Sequence, residues 1–260
     1  MRRLGLVGKP VGFIVGAAWL AACASMVPPS RLAEYVGPQA GSEPITDASL
    51  PQGPIRAGLV LVSDTSAPDA APAPPEEALN RLGESLQQQI NQYLPPLKID
   101  RILSPEGIHP GGDISQFIEL GKKQGLEYVV AVVASSTEQE YPMTLFLGWV
   151  SHSQPGLRRD NWSLMEAALV DVKNGRSLLR AEGRSWATLD RPMAPGINQW
   201  YPVIWRRPQD PNWRWWPPTY AGAPNTLRVI AMNEAGKRLL MHLQDAWIQK
   251  RQAELNSTPG

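Results

Sequence analysis

The chain has 260 residues, 43% of them hydrophobic, with 25 basic residues against 24 acidic ones and a single cysteine. So even a balance leaves no electrostatic footprint for nucleic acid, and one cysteine permits no internal disulfide. The hydrophobic share is enough for a packed core, which excludes a wholly disordered chain.

Met1-Arg2-Arg3 precedes an apolar stretch from Val11 to Ala22, the basic start and short hydrophobic region of an export signal. About a dozen uninterrupted apolar residues fall short of the roughly 20 that span a bilayer, so residues 1–22 are expected to be cleaved. Leu20-Ala21-Ala22-Cys23 resembles the lipobox of bacterial lipoproteins. The resemblance implies that Cys23 is lipidated and becomes the anchored first residue, which would leave no thiol for catalysis or metal binding. Acyl chains contribute about 0.8 kcal/mol per buried methylene, so more than one holds a protein on a membrane without a spanning helix. Ala24 stands where an Asp would signal retention at the inner membrane, and by that resemblance the destination is the periplasmic face of the outer membrane. Loss of residues 1–22 removes Arg2, Arg3 and Lys9, leaving 22 basic and 24 acidic residues and a net charge of −2.

Residues 24–54 are rich in Pro, Gly and Ser without helical or strand periodicity, and are expected to be a flexible tether averaging roughly 30 Å end to end. Ala57 to Ser63 is a short apolar run that fits a buried strand. A loop of Ala and Pro over 66–75 follows. Leu79, Leu82, Leu86, Ile90 and Leu94 then recur at spacings of three and four, predicting an amphipathic helix stopped by Pro95-Pro96. Leu97 to Leu103 alternates as a second strand. Asp113 and Gln116 suggest a capping box opening a helix through Phe117 and Leu120, closed by Gly125. Tyr128 to Ala134 is apolar on both faces and predicts a central strand. Beyond Pro142, Met143–Val150 and Trp162–Val172 read as further strands. Asn174-Gly175 predicts a tight hairpin with a partner strand through Leu189, and a last helix is expected from about Asn225, a plausible cap, to Gln252.

This order predicts one α/β (α+β) domain over residues 55–260 with a mixed sheet, a late hairpin and a C-terminal helix. With the anchor and tether, the hairpin Leu169-Val170-Asp171-Val172-Lys173-Asn174-Gly175 resembles periplasmic lipoproteins related to the curli-secretion lipoprotein and the penicillin-binding-protein activator lipoprotein. The resemblance covers roughly residues 55–190 and the last helix. It implies an assembly or accessory role with an envelope protein partner, not catalysis. Residues 191–224 depart from that pattern.

Chemistry is sparse. His109, His152 and His242 lie far apart and match no metal-ligand spacing. No G-x-S-x-G elbow or phosphate-binding glycine motif occurs, and no cofactor is implied. Glu138 and Glu140 have the alternate spacing that puts two carboxylates on one face, as acid and base catalysis requires, although rim residues after a buried strand explain them as well. Arg158 and Arg159, read as part of a loop from Ser151 to Asn161, have the chemistry to grip an anion. The strongest signal is the long excursion over 191–224, in which five of the ten tryptophans fall within 17 residues. Trp200, Trp205, Arg206, Trp213, Arg214, Trp215, Trp216 and Tyr220 are the candidate contacts there. Trp and Arg suit a protein partner, a glycan or a membrane interface, and equally a flap that packs its tryptophans over an open sheet face.

Overall fold

The computed structural model describes residues 27–37, 49–146, 153–193, 201–203 and 222–257. The signal segment, Cys23 and His152 lie outside them. So do Trp200, Trp205, Arg206, Trp213, Arg214, Trp215, Trp216 and Tyr220.

The predicted mixed α/β domain is present. Among the described residues, helix α1 (Leu32–Val36) precedes β1 (Ile55–Asp64), α2 (Glu76–Tyr93), β2 (Leu97–Leu103), α3 (Ser115–Lys123), β3 (Tyr128–Phe146), β4 (Ser153–Asp171), β5 (Arg176–Pro192), the short β6 (Tyr201–Val203) and the long α4 (Ala223–Ser257). The strands form one sheet in the order β2-β1-β3-β4-β5-β6, parallel across β2, β1 and β3 and antiparallel from β3 to β6. Val129 to Ala134 are all fully buried because β3 is central and both of its faces are covered, as its unbroken apolar run requires.

On one face, α2 and α4 pack Leu82, Leu86, Ile90, Leu239, Leu243 and Trp247 against Leu59, Val130, Val132, Met165 and Leu169. On the other, α1 and α3 pack Leu32, Tyr35, Val36 and Phe117 against Val60, Val129, Ala131, Val133, Ala168 and Val170. The α4 backbone packs directly on Gly183 of β5. An added Cβ there would stand 2.1 Å from the Ala235 carbonyl oxygen and 2.2 Å from the Leu239 amide nitrogen.

Several local expectations need correction. β3 does not stop at Pro142, and Arg158 and Arg159 are not in a loop. The two strands pair without a break from Tyr128↔Asp171 to Phe146↔Ser153. β1 ends at Asp64, opposite Ser135, and beyond it the described residues give the outer side of β3 only the isolated bridge Ala70↔Thr137; a proline is tolerated on such an edge. The turn before β5 is not the two-residue form that an Asn-Gly pair favours. Among the described residues only glycines have positive φ, Gly175 at 67°, and Asp171 shapes the turn by accepting the Lys173 and Asn174 amides at 2.8 and 3.0 Å. Val172 is thereby turned into the core. Asn225 does not cap α4, which begins at Ala223; its side chain instead accepts from Arg228 at 3.1 Å. Asp113 accepts the Ser115 amide at 2.8 Å, but Gln116 reaches away, donating to the Tyr35 carbonyl at 2.8 Å, so no reciprocal capping box forms.

The largest correction concerns the tether. Residues 27–37 belong to the folded body, with Pro28, Leu32, Tyr35 and Val36 buried.

Candidate functional site

The described residues offer two sites on the α1/α3 face of the sheet. The first is the seat of the N-terminal strap, residues 28–37. Glu166 projects from β4 between Leu164 and Ala168 and is 4% exposed. A lone carboxylate in such surroundings is costly unless fully hydrogen-bonded. Glu166 is satisfied from outside its own strand: it accepts the Arg31 amide at 2.7 Å, the Leu32 amide at 3.0 Å and the Ser30 hydroxyl. The Leu32 amide is one of the donors that the first turn of a helix leaves without an internal partner. Asp64, the buried last residue of β1, takes the Arg31 Nε at 2.7 Å and the Ser66 amide and hydroxyl at 2.8 and 2.6 Å. The far end of the strap is tied to α3 and the turn before it, since the Gly111 amide donates to the Glu34 carbonyl at 2.9 Å and Gln116 of α3 holds the Tyr35 carbonyl.

Burial alone would raise the Asp64 carboxyl, but the hydrogen bonds from Ser66 and Arg31 prevail and hold it below its ordinary value. Burial, aided by the Asp64 carboxylate, pushes the Tyr35 phenol well above its own. Because the Asp64 value is depressed on folding, its contribution to strap docking is fully present above pH 3.8, the ordinary value for Asp, and is lost as the pH falls through the lowered one. Hydrogen exchange at the Tyr35 and Val36 amides should therefore not respond to Asp64 until the pH is below 3.8. An Asp64-dependent rise in exchange already present near neutrality would contradict this.

The second site lies further along β4. The buried α1/α3 cluster reaches Val133 and Ala168 and includes no residue of the long hairpin beyond them, so among the described residues no helix packs on that part of the face. Trp162 and Trp186 stand directly opposite one another across β4 and β5. Trp186 is 59% exposed, and the Arg238 guanidinium lies 5.9 Å from its ring centre, within the range of a cation–π contact. Asp160 accepts the Tyr141 hydroxyl at 2.8 Å and the Thr188 hydroxyl at 2.6 Å, and Arg158 forks onto Asp190 at 2.7 and 2.8 Å. That pairing raises the Arg158 value further. β6 adds Tyr201–Val203 to the edge of β5 opposite Thr188–Asp190, which brings three residues of the Trp-rich excursion alongside this surface.

No protein-family model matches the chain, and no curated protein matches it. Similar solved structures include a Helicobacter pylori protein described as a homolog of the neuraminyllactose-binding hemagglutinin. It has a TM-score of 0.38 at 10% identity, with 83% of this chain and 96% of that one covered. A PelC dodecamer from Paraburkholderia phytofirmans has a TM-score of 0.30 at 14% identity, covering 76% and 93%. A lipoprotein from Neisseria meningitidis has 0.28 at 12% identity, covering 51% and 83%. At these scores and identities the likenesses transfer neither fold nor function to this chain.

The other residues singled out from sequence are accounted for by one another. Glu138 receives Arg228 of α4 at 2.7 Å and Arg159 at 3.4 Å, and Glu140 receives Arg159 at 2.7 Å. The two carboxylates do share a face, and what they do there is fasten α4 and β4 to β3. Arg158 spends its guanidinium group on Asp190, and Arg159 on Glu138 and Glu140, rather than on a free anion. His109 lies beside Gln116 at 3.3 Å, and His242 contacts the Glu182 carbonyl at 2.6 Å. Among the described residues no three His, Cys, Asp or Glu side chains converge as metal ligands, and no helix is long and apolar enough to cross a membrane.

Sequence reasoning missed Glu166, Asp64, Trp162 and Trp186 as site residues. A legible signal existed for Glu166: a carboxylate alone within the apolar run Leu164 to Val170 needs donors brought from elsewhere in the chain. The Trp pair needed the β4–β5 register, which the sequence alone does not supply.

Proposed function

We propose that this chain is a non-enzymatic, lipid-anchored accessory protein of the bacterial cell envelope. It is held on the periplasmic face of the outer membrane through Cys23 and binds an envelope protein partner. The docked strap carries the reading. The docked residues 27–37 follow within a few positions of the lipobox-like Leu20-Ala21-Ala22-Cys23, and two buried acids of the sheet are committed to holding them. An anchor coupled this closely to the body suits a protein whose work is done beside its membrane. The sequence resemblance to the curli-secretion and penicillin-binding-protein activator lipoproteins points the same way, toward assembly or maintenance of the envelope.

Labelled palmitate should be incorporated into the wild-type protein and not into Cys23→Ala, and cross-linked pull-down should recover an envelope protein. Absent incorporation removes the anchor. Recovery of no envelope protein removes the partner, and unchanged recovery after Trp213, Trp215 and Trp216 are replaced by Ala removes those residues as its contact.

A second reading, binding of glycan or peptidoglycan, is favoured by one observation: the exposed Trp186 and its neighbour Trp162 are bordered by hydroxyl, carboxylate and guanidinium groups, the chemistry that holds a sugar ring. Sedimentation with purified peptidoglycan separates the two readings, since only the second predicts binding that Trp186→Ala abolishes.

A further inference from the structure

We infer that the part of the α1/α3 face on which no described helix packs, the β3–β4–β5 surface carrying Trp162 and Trp186, rests on the lipid surface that holds the anchor. The inference depends on the lipidation of Cys23 proposed above. Ser30, the first strap residue bonded to the sheet, is seven residues after Cys23, and seven residues reach about 25 Å at full extension. Glu166, which holds that residue, lies four residues from Trp162 on the same face of β4, about 13 Å along the strand.

The opposite orientation is out of reach. For α2 and α4 to face the membrane, the leader would first have to travel about 10 Å across two strand spacings to the nearest sheet edge. It would then have to descend about 20 Å past the sheet and a helix of about 10 Å diameter. That path exceeds the length of chain available, so α2 and α4 do not face the membrane, and on the strap side no described helix packs over Trp162 and Trp186.

The chemistry of the surface agrees. An indole places an apolar body and an N–H donor at the headgroup level, where Trp is enriched. Trp186 is 59% exposed, and Val27, at the start of the strap, is 44% exposed. Arg238 stands over Trp186, placed to meet headgroup phosphates. The acids of this surface are already engaged: Asp160 by Tyr141 and Thr188, Asp190 by Arg158, and Glu182 by Arg184.

The test uses acylated protein in vesicles of phosphatidylethanolamine and phosphatidylglycerol. Cys23 is acylated, so a fluorophore is attached to one engineered thiol, either Gln139→Cys on the uncovered surface or Glu84→Cys on the outer side of α2. Quenching by lipid-borne nitroxide should be roughly threefold or more stronger at position 139 than at 84 for a headgroup-level contact, and Trp162→Ser with Trp186→Ser should abolish the difference. Equal quenching, or stronger quenching at 84, in protein that floats with the vesicles overturns this inference and leaves the anchor intact. Self-cross-linking through position 139 without quenching shows a second copy on this surface and overturns it likewise. Protein that carries no acyl group overturns the anchor first.

Discussion

Glu166→Ala undocks the strap and leaves the rest of the fold standing. The carboxylate accepts the Arg31 and Leu32 amides and the Ser30 hydroxyl, and its removal strands these donors against an apolar face. A buried unsatisfied group costs about 1–3 kcal/mol. The strap escapes that cost by leaving for water, so the loss is limited to its docking energy. A loss of about 3 kcal/mol would raise the open population roughly a hundredfold. Trypsin reads this directly, because Arg31 is a cleavage site whose side chain is held on Asp64 when the strap is docked. Cleavage after Arg31 should accelerate strongly in Glu166→Ala, and less in Glu166→Gln, which keeps one acceptor oxygen. Cleavage at the wild-type rate in both variants would show that the apolar contacts of Leu32, Tyr35 and Val36 alone hold the strap.

Gly183→Ala should be the most damaging single methyl in the described structure. Its Cβ would stand 2.1 Å from the Ala235 carbonyl oxygen and 2.2 Å from the Leu239 amide nitrogen, and neither atom belongs to a side chain that can rotate away. Overpacking typically costs 1–3 kcal/mol when side chains yield; with the α4 backbone as the obstacle, about 3 kcal/mol or more is expected. In a body of this size that lowers the melting midpoint by about 10 °C. Gly236→Ala, on α4 itself, is the control. Its Cβ would meet the Met165 sulfur at 3.3 Å and a Leu86 methyl at 3.4 Å, and replacing a mid-helix Gly by Ala gains about 0.5–1 kcal/mol of helix propensity. A melt in which Gly183→Ala is no worse than Gly236→Ala would show that α4 is free to lift from β5.

The elements read most accurately from sequence have strong local signals: the α2 stripe from Leu79 to Leu94, the two-sided apolar run of β3, and Gly125, with φ of 65°, closing α3. The misread ones share a physical cause. Pro142 breaks a strand only where its nitrogen faces a partner, and which side of β3 lacks a partner is decided by where β1 ends. Asn174-Gly175 predicts a two-residue turn only if no nearby side chain shapes the turn first, and Asp171 does so. Residues 27–37 look like tether because a five-residue helix has too little periodicity to register; Glu166, Asp64 and Gln116 supply its order from distant parts of the chain.

By itself, the sequence determined the mixed α/β class and the main helices and strands, because these follow from periodicity and composition within short windows. It also placed the lipobox-like Cys23 and removed cysteine and histidine constellations from consideration. Tertiary structure alone decided that Glu138, Glu140, Arg158 and Arg159 are spent on one another and on Arg228 and Asp190, that residues 27–37 hold a docked strap, and that Trp162 pairs with Trp186 on a part of the face where no described helix packs. Each of these depends on strand register and on contacts between residues up to 136 positions apart. Local pattern carries no information at that range, because pairing is set by which faces the packed layers leave buried.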